Sequence, residues 1–383
     1  MVEWKNLTTV AEVQYGYPFD SSLFSEDENN IPLIRIRDVK PGEPSTYFSG
    51  EYPSEYIIHK GDILVGMDGE FNLAKWKSRD GLLNQRVLKL TGKNNQCLNG
   101  YLFHYMGPVF KTIELQTAGG SVKHLSVKAI NKIKIPIPSI EEQNRIVGIL
   151  DTFTDSIENL KQQIAQRRKQ YEHYRDQLLD LEGKDGVEMK TLGELFTFKN
   201  GLNKGKEFFG KGKPIIMFTN VFNSRSIISS MVQSKVEITD DELKRINAEV
   251  GDVFFTRTSE TREDVGYASV LLEDIKDCTF AGFLIRARPT TSLLLPKYCK
   301  YCFSTPKIRA SIVSNCSFTT RASLTGGGLS KVAIFIPPLP EQQRIVSILD
   351  TFEASISNLE AQLEQRQKQY EYYRNQLLTF EEG

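Results

Sequence analysis

Two loops in each half of this 383-residue chain gather side chains of the kinds that read nucleic-acid edges. The first loop follows a Gly-Asp-apolar run. It reads Gly66-Met67-Asp68-Gly69-Glu70-Phe71-Asn72-Leu73-Ala74-Lys75-Trp76 in one half and Arg257-Thr258-Ser259-Glu260-Thr261-Arg262-Glu263 in the other. The second loop precedes the last apolar run of each half: Gly119-Gly120-Ser121-Val122-Lys123-His124 and Thr319-Thr320-Arg321-Ala322-Ser323. Arg suits guanine edges, Asn or Gln suits adenine, Asp or Glu accepts from cytosine, and Lys or Ser reaches phosphates. In the first half the candidate DNA contacts are Asp68, Glu70, Asn72, Lys75, Lys123 and His124 in these loops, with Arg35, Arg37 and Lys77 outside them. In the second half they are Arg257, Ser259, Arg262, Arg321 and Ser323 in the loops, with Asn220 and Arg225 outside them. Any one of them alone reads equally well as a solvated loop residue. The functional reading rests on two loops recurring at matching places with different chemistry.

Other chemistries find no footing. No G-x-G-x-x-G follows an apolar run, and no G-x-x-x-x-G-K-[ST] occurs; Gly201-Leu202-Asn203-Lys204-Gly205-Lys206 is one residue too short and ends in Glu207. Neither Asn-Pro-Pro-Tyr nor Asp-Pro-Pro-Tyr is present to hold a base for amino methylation. Cys299-x-x-Cys302 lacks a second pair, so zinc is not expected. His59, His104, His124 and His173 form no catalytic cluster in sequence. No catalytic and no metal-ligating residues are assigned. Five cysteines in such a length suggest a reduced, cytoplasmic setting rather than a disulfide framework. No apolar run reaches about 18 residues, and the start carries no export pattern, so neither a membrane span nor secretion is expected.

The elements that must position these loops show themselves through duplication. Residues 142–179 recur 199 positions later as 341–378, with about 26 of 38 positions identical. Apolar residues in the first block fall at Ile146, Leu150, Phe153, Ile157, Leu160, Ile164, Tyr171, Tyr174, Leu178 and Leu181. In the second they fall at Ile345, Leu349, Phe352, Ile356, Leu359, Leu363, Tyr370, Tyr373, Leu377 and Phe380. Steps of three and four give the 3.5-residue period of a coiled-coil seam. Ser139-Ile140-Glu141-Glu142 opens the first helix as a capping box, Pro340 sits in the first turn of the second, and Gly183 is a stop. A helix of 40 residues spans roughly 60 Å and cannot bury such a seam alone. Its simplest partner is its own duplicate, paired antiparallel. Arg167 and Arg366 occupy one seam position in both copies. Each either locks the register or lays its stem over apolar surface with its head in water.

The segments before the helices echo each other faintly. Lys60-Gly61-Asp62-Ile63-Leu64 matches Val250-Gly251-Asp252-Val253-Phe254, and Ile135-Pro136-Ile137-Pro138 matches Ile334-Phe335-Ile336-Pro337. Short strands are expected at 31–36, 62–65, 85–90 and 133–137, and again at 214–221, 252–256, 280–287 and 331–336; short helices are expected at 100–115 and 296–314. The expected class is α+β: two mixed α/β recognition domains separated by a long antiparallel two-helix coiled coil, with a pseudo-two-fold internal repeat. The parts are 1–138, helix 139–183, 184–337 and helix 338–383. The chain is neutral overall, yet the first variable unit carries +1, the second +6, and the two helices −3 and −4. Positive heads on an acidic rod suit a polyanion gripped at two points.

Variable units alternating with duplicated helices, each entered through I-P-x-P or I-P-P and then E-Q-x-R-I-V, closely resemble the specificity subunits of type I restriction–modification systems. The resemblance covers the whole chain and is strongest at 135–181 and 334–380. It implies a non-catalytic, cytoplasmic reader of double-stranded DNA with an asymmetric, bipartite target. Its partners would be two methyltransferase subunits and, through them, restriction motor subunits. S-adenosylmethionine, ATP and Mg²⁺ would belong to those partners. Gln85-Arg86 stands where the second unit has Gly282-Phe283, which puts matching contacts at that strand in question. Two other readings share the residues: a coiled-coil scaffold for proteins only, and a nuclease or methyltransferase with its own recognition domain.

Overall fold

The computed structural model describes residues 2–93, 95–117 and 123–381. The chain divides into two compact units, residues 1–161 with 361–383, and residues 162–360.

In the first unit, strands Ala11–Tyr15, Val87–Gly92, Ile63–Gly66 and Leu73–Lys75 lie side by side in that order, all antiparallel. Ile63-Leu64-Val65 is a continuous apolar run because both faces of its strand are covered. Ile63 and Val65 join one core with Leu88, Leu90, Tyr101 and Leu102, while Leu64 joins another with Ile34, Trp76 and Val87. A second, mixed sheet of five short strands includes Ile31–Ile34, Tyr47–Phe48 and Gly81–Leu83. Strand Glu3–Asn6 pairs with Lys134–Ile137, tying the start of the unit to the entrance of the long helix. Helix Asn99–Gln116 lays Tyr101, Leu102, Met106 and Phe110 into the first core.

The second unit repeats this plan. Strands Phe196–Asn200, Leu284–Pro289, Val253–Thr256, Ala268–Leu271 and Ser226–Ile227 form its main sheet. Val253 and Phe255 face one core and Phe254 the other. Strand Glu188–Thr191 pairs with Ala333–Ile336 as its counterpart does in the first unit. The apolar stretch 214–221 is not one strand: Phe209–Ile216 is extended, then Phe218–Phe222 is helical, because the Asn220 carboxamide accepts the Met217 N–H at 2.8 Å and starts a helical turn. The helix expected over 296–314 is two, Pro296–Cys302 and Pro306–Ser314, since Pro306 supplies no N–H to continue the first and Thr305 caps the second.

The recurring Gly-Asp pair is a turn device. Gly61 and Gly251 hold φ of +97° and +91°, a region costly for any side chain. The following Asp62 and Asp252 accept the N–H of His59 at 2.9 Å and of Glu249 at 2.8 Å.

The duplicated blocks are unbroken helices, Ile140–Leu179 and Leu339–Leu378. Within the second unit they run antiparallel: Arg168 meets Glu360 at 2.6 Å, Tyr171 meets Glu353 at 3.5 Å, and Tyr174 stacks on Phe352 at 5.3 Å. The first unit contains the counterpart of the last contact, Phe153 on Tyr373 at 5.2 Å. Arg167 and Arg366 place their guanidinium groups 5.9 and 5.6 Å from the rings of Phe352 and Phe153. An aromatic face stabilises a half-buried cation laid over it. The apolar stripe has a second duty. Ile146 and Leu150 are fully buried in the core of the first unit, and Ile345 and Leu349 in that of the second.

The E-Q-x-R-I-V motif is the joint between helix and domain. Gln143 is fully buried; its Oε1 accepts the Leu98 N–H at 2.9 Å, and its Nε2 donates to Gln96 O at 2.9 Å and Pro138 O at 3.0 Å. Gln342 does the same with Leu295 N–H, Leu293 O and Pro337 O at 2.9, 2.7 and 2.9 Å. Glu142–Arg145 and Glu341–Arg344 form matching two-pronged pairs beside them. No helix among the described residues is long and apolar enough to cross a membrane.

Candidate nucleic-acid interface

The backbone builds one frame twice. In the first unit the Met67 N–H donates to Arg86 O at 3.0 Å and the Leu125 N–H to Met67 O at 2.7 Å. In the second the Arg257 N–H donates to Phe283 O at 2.8 Å and the Leu324 N–H to Arg257 O at 2.8 Å. Asp68 bridges His124 just as strand Thr258–Ser259 pairs with Ala322–Ser323. The two loops singled out in each half therefore meet, and a third segment, at Arg86 and Phe283, joins them. The backbone contact at Gln85-Arg86 matches that at Gly282-Phe283; only the side chains differ.

On the first frame the side chains are charged and interlocked. Asp68 accepts from His124 Nδ1 at 2.6 Å and lies 3.4 Å from Arg86. Glu114 accepts the Phe71 N–H at 3.2 Å, and Lys123 approaches it to 3.9 Å. Lys111, 2.9 Å away, holds the Glu114 carboxyl below its ordinary range, and the Phe71 N–H adds to this. Glu70 is exposed, 3.7 Å from Lys40, and accepts from the Asn72 carboxamide at 3.4 Å. Residues 119–122 of the second loop lie outside the described residues.

On the second frame a three-stranded patch of Thr258–Ser259, Ala322–Ser323 and Ser317–Phe318 carries Arg262 over the exposed Phe318 ring at 5.2 Å. Arg321 is exposed at its tip. Beside it, a cleft of about 550 Å³ is lined by Arg257, Thr258, Phe283, Asn203, Lys204 and Lys206. Lys204 is held there by Glu242 at 2.8 Å and by Glu237 O at 2.9 Å. That ammonium, with the Thr239 N–H, pulls the Glu242 carboxyl down to about 2.

Several candidates sit elsewhere. Lys75 reaches Asp151 at 3.6 Å and the Phe103 ring at 4.9 Å, and Lys77 reaches Glu158 at 3.1 Å, so both join the domain to its long helix. Arg225 donates to the Tyr171 hydroxyl at 2.9 Å, also on a long helix. Asn220 is spent on its helical turn and on Met231 O. Arg37 donates to Ser45 Oγ and Thr46 Oγ1 at 2.7 and 2.8 Å, and Arg35 lies over Phe24 at 5.9 Å. Arg86, Phe283, Lys206 and Phe318 were not among the candidates. Arg86 and Phe283 lie in neither loop, and only the frame shows them beside both.

Among the described residues no group of three or more His, Cys, Asp or Glu side chains could hold a metal ion. Cys299 and Cys302 are buried, and burial pushes the Cys302 thiol up to about 12 and Cys299 up as well.

Comparison with known proteins is consistent across the chain. The family described as type I restriction modification DNA specificity domain matches residues 1–167 and 184–367. The EcoBI specificity subunit of Escherichia coli is 26% identical, over 94% of this chain and 80% of its own length. The EcoR124I/EcoR124II specificity subunit of Escherichia coli is 28% identical, over 99% of this chain and 94% of its own. The crystal structure of a type I restriction–modification S subunit from M. genitalium shares the fold, with a TM-score of 0.60 at 14% identity over 100% of this chain and 97% of that one. A chain from a structural study of complex assembly and conformational transition of the type I R-M system gives 0.59 at 18% identity, over 98% and 96%.

Proposed function

This chain belongs to the family of type I restriction modification DNA specificity domains, and we propose that it reads a bipartite, asymmetric DNA target, one half-site with residues 1–138 and the other with residues 184–337. Its part is DNA sequence recognition; methyl transfer and cleavage lie in partner subunits. The observation that carries the two-part reading is the frame built twice with different side chains on it. Asp68, Arg86, Lys123 and His124 on one copy, and Arg257, Arg262, Arg321 and Ser323 on the other, offer different sets of donors and acceptors, so the two half-sites differ in sequence even where each contains a guanine. The segments 139–183 and 338–383 set the gap between the half-sites and dock two methyltransferase subunits, and restriction subunits join through that complex. Of the candidates, Lys75, Lys77 and Arg225 act on this reading as ties to the long helices, and Asn220 as a turn former.

Long-read methylation mapping of cells carrying the chain with its partner subunits tests the proposal. A split motif with two unlike halves is expected. Exchanging residues 1–138 for another recognition unit should change one half alone. Deleting one heptad from both helices should alter the gap and spare the letters. A motif unaltered by the exchange would refute the two-reader scheme.

A further inference from the structure

We infer that Arg86 and Arg257 are the guanine readers of the two half-sites, delivered to corresponding places from opposite segments of the duplicated frame. The inference rests on the reading above and deepens it. In each copy, two residues are joined by one backbone hydrogen bond: Met67 to Arg86, and Arg257 to Phe283. Each pair contains one arginine, but it occupies the alternate slot. The first frame has a buried Met67 beside the exposed Arg86; the second has Arg257 beside Phe283, which is 62% exposed.

Each arginine is prepared for a ligand with two acceptors in one plane. Asp68, itself fixed by His124 at 2.6 Å, lies 3.4 Å from one nitrogen of Arg86 and orients its fork. Arg257 Nε is buried and has no hydrogen-bond partner among the described residues, and the residue lines the 550 Å³ cleft beside Thr258 and Phe283. A buried guanidinium nitrogen left unpaired is costly unless a ligand completes it. O6 and N7 of guanine present that pair of acceptors in the major groove. A DNA phosphate would also satisfy the charge, but it would carry no sequence information.

Lysine separates the two sources, because it keeps the charge and loses the fork. The experiment maps methylation in cells expressing the partner subunits with the wild-type chain, Arg86→Lys or Arg257→Lys. Each variant should lose discrimination at one G·C position in one half-site, by roughly 10–100-fold, with the other half-site unchanged. Circular dichroism melts and co-purification with the methyltransferase subunit establish that each variant is folded and assembled. An intact motif in either variant overturns the inference. So does a uniform fall in methylation at every site by an assembled variant, which assigns that arginine to phosphate. A wild-type chain that directs no split motif would instead overturn the underlying reading.

Discussion

Replacing Gln143 by leucine should cost the first unit about 2–4 kcal/mol. The side chain is wholly buried, and its amide completes three backbone groups: Leu98 N–H, Gln96 O and Pro138 O. Leucine has a similar volume, so no large cavity forms and the loss is polar. An unpaired buried N–H costs about 1–3 kcal/mol, and each carbonyl adds less because it retains a second lone pair. Against a domain stability of about 5–15 kcal/mol this is a large fraction. Urea unfolding of the full chain, followed through tryptophan fluorescence, reads it directly. Trp76 is 1% exposed in the same unit, and Trp4 belongs to that unit too. The midpoint should fall with an unchanged slope. Asn144→Leu, one position along on the exposed face, should move stability by less than about 0.5 kcal/mol. If Gln143→Leu shifts stability no more than that control, the buried amide is not what fixes the helix to its domain. Gln342→Leu should show the same penalty in the second unit by calorimetry.

Further outcomes follow from other contacts. His104 is buried between Asp151 at 2.8 Å and the Tyr370 hydroxyl at 3.0 Å, with Lys75 and Arg374 nearby; burial outweighs Asp151 and lowers its pKa below the ordinary 6.5. The unfolded chain therefore takes up the proton first as pH falls below 6.5, so stability should drop by up to about 1.4 kcal/mol per pH unit until the folded pKa is reached. In the second unit Tyr301 stands in this place, its hydroxyl donating to Asp350, the duplicate of Asp151; His104→Tyr should therefore remove that slope from urea midpoints measured between pH 7 and 5. A thiol reagent should modify Cys316 alone in the native protein. Burial pushes Cys97, Cys278 and Cys302 up to about 12, and mass spectrometry showing rapid labelling of any of them would contradict this. A double-mutant cycle on Phe153 and Tyr373 should give a coupling of about 0.5–1.5 kcal/mol, and Phe352 with Tyr174 should give the same within error.

The long helices were legible because a 3.5-residue period over 38 residues has no rival explanation, and a duplicate supplied the partner. Strand positions were legible where both faces are buried, as at Ile63–Val65 and Val253–Phe255. Boundaries failed where a side chain decides the backbone, as Asn220 does by turning the chain after Ile216 and Thr305-Pro306 does by splitting a helix. Among site residues, loop membership was readable, but the destination of a long cation was not. Lys75 and Lys77 follow the same loop as Asp68 yet end on Asp151 and Glu158. Arg86 escaped because its relevance is conferred by a hydrogen bond from a residue 19 positions away. The buried glutamines escaped because a polar residue beside an apolar stripe reads as exposed until its three partners are seen.

The joint and the frame also explain why one part of each half tolerates so little change and the other so much. At the joint, specificity lies in side chains: Gln143 must present one acceptor and two donations, and Glu142 must meet Arg145, so few substitutions keep the geometry. At the frame, the connections that the two copies share are made by the main chain. Met67 and Arg257 accept and donate the same backbone bonds with unrelated side chains, and the Arg86 and Phe283 carbonyls accept the same bond. A recognition surface hung on backbone hydrogen bonds can be rewritten at little cost to the fold. Arg86→Phe, borrowing the residue of the second frame, should therefore change stability by less than about 1 kcal/mol while abolishing the guanine letter in its half-site. A collapse of stability in that variant, measured by urea unfolding, would mean that the side-chain pairs of Asp68 and His124 hold the loop and that recognition and folding are not separable here.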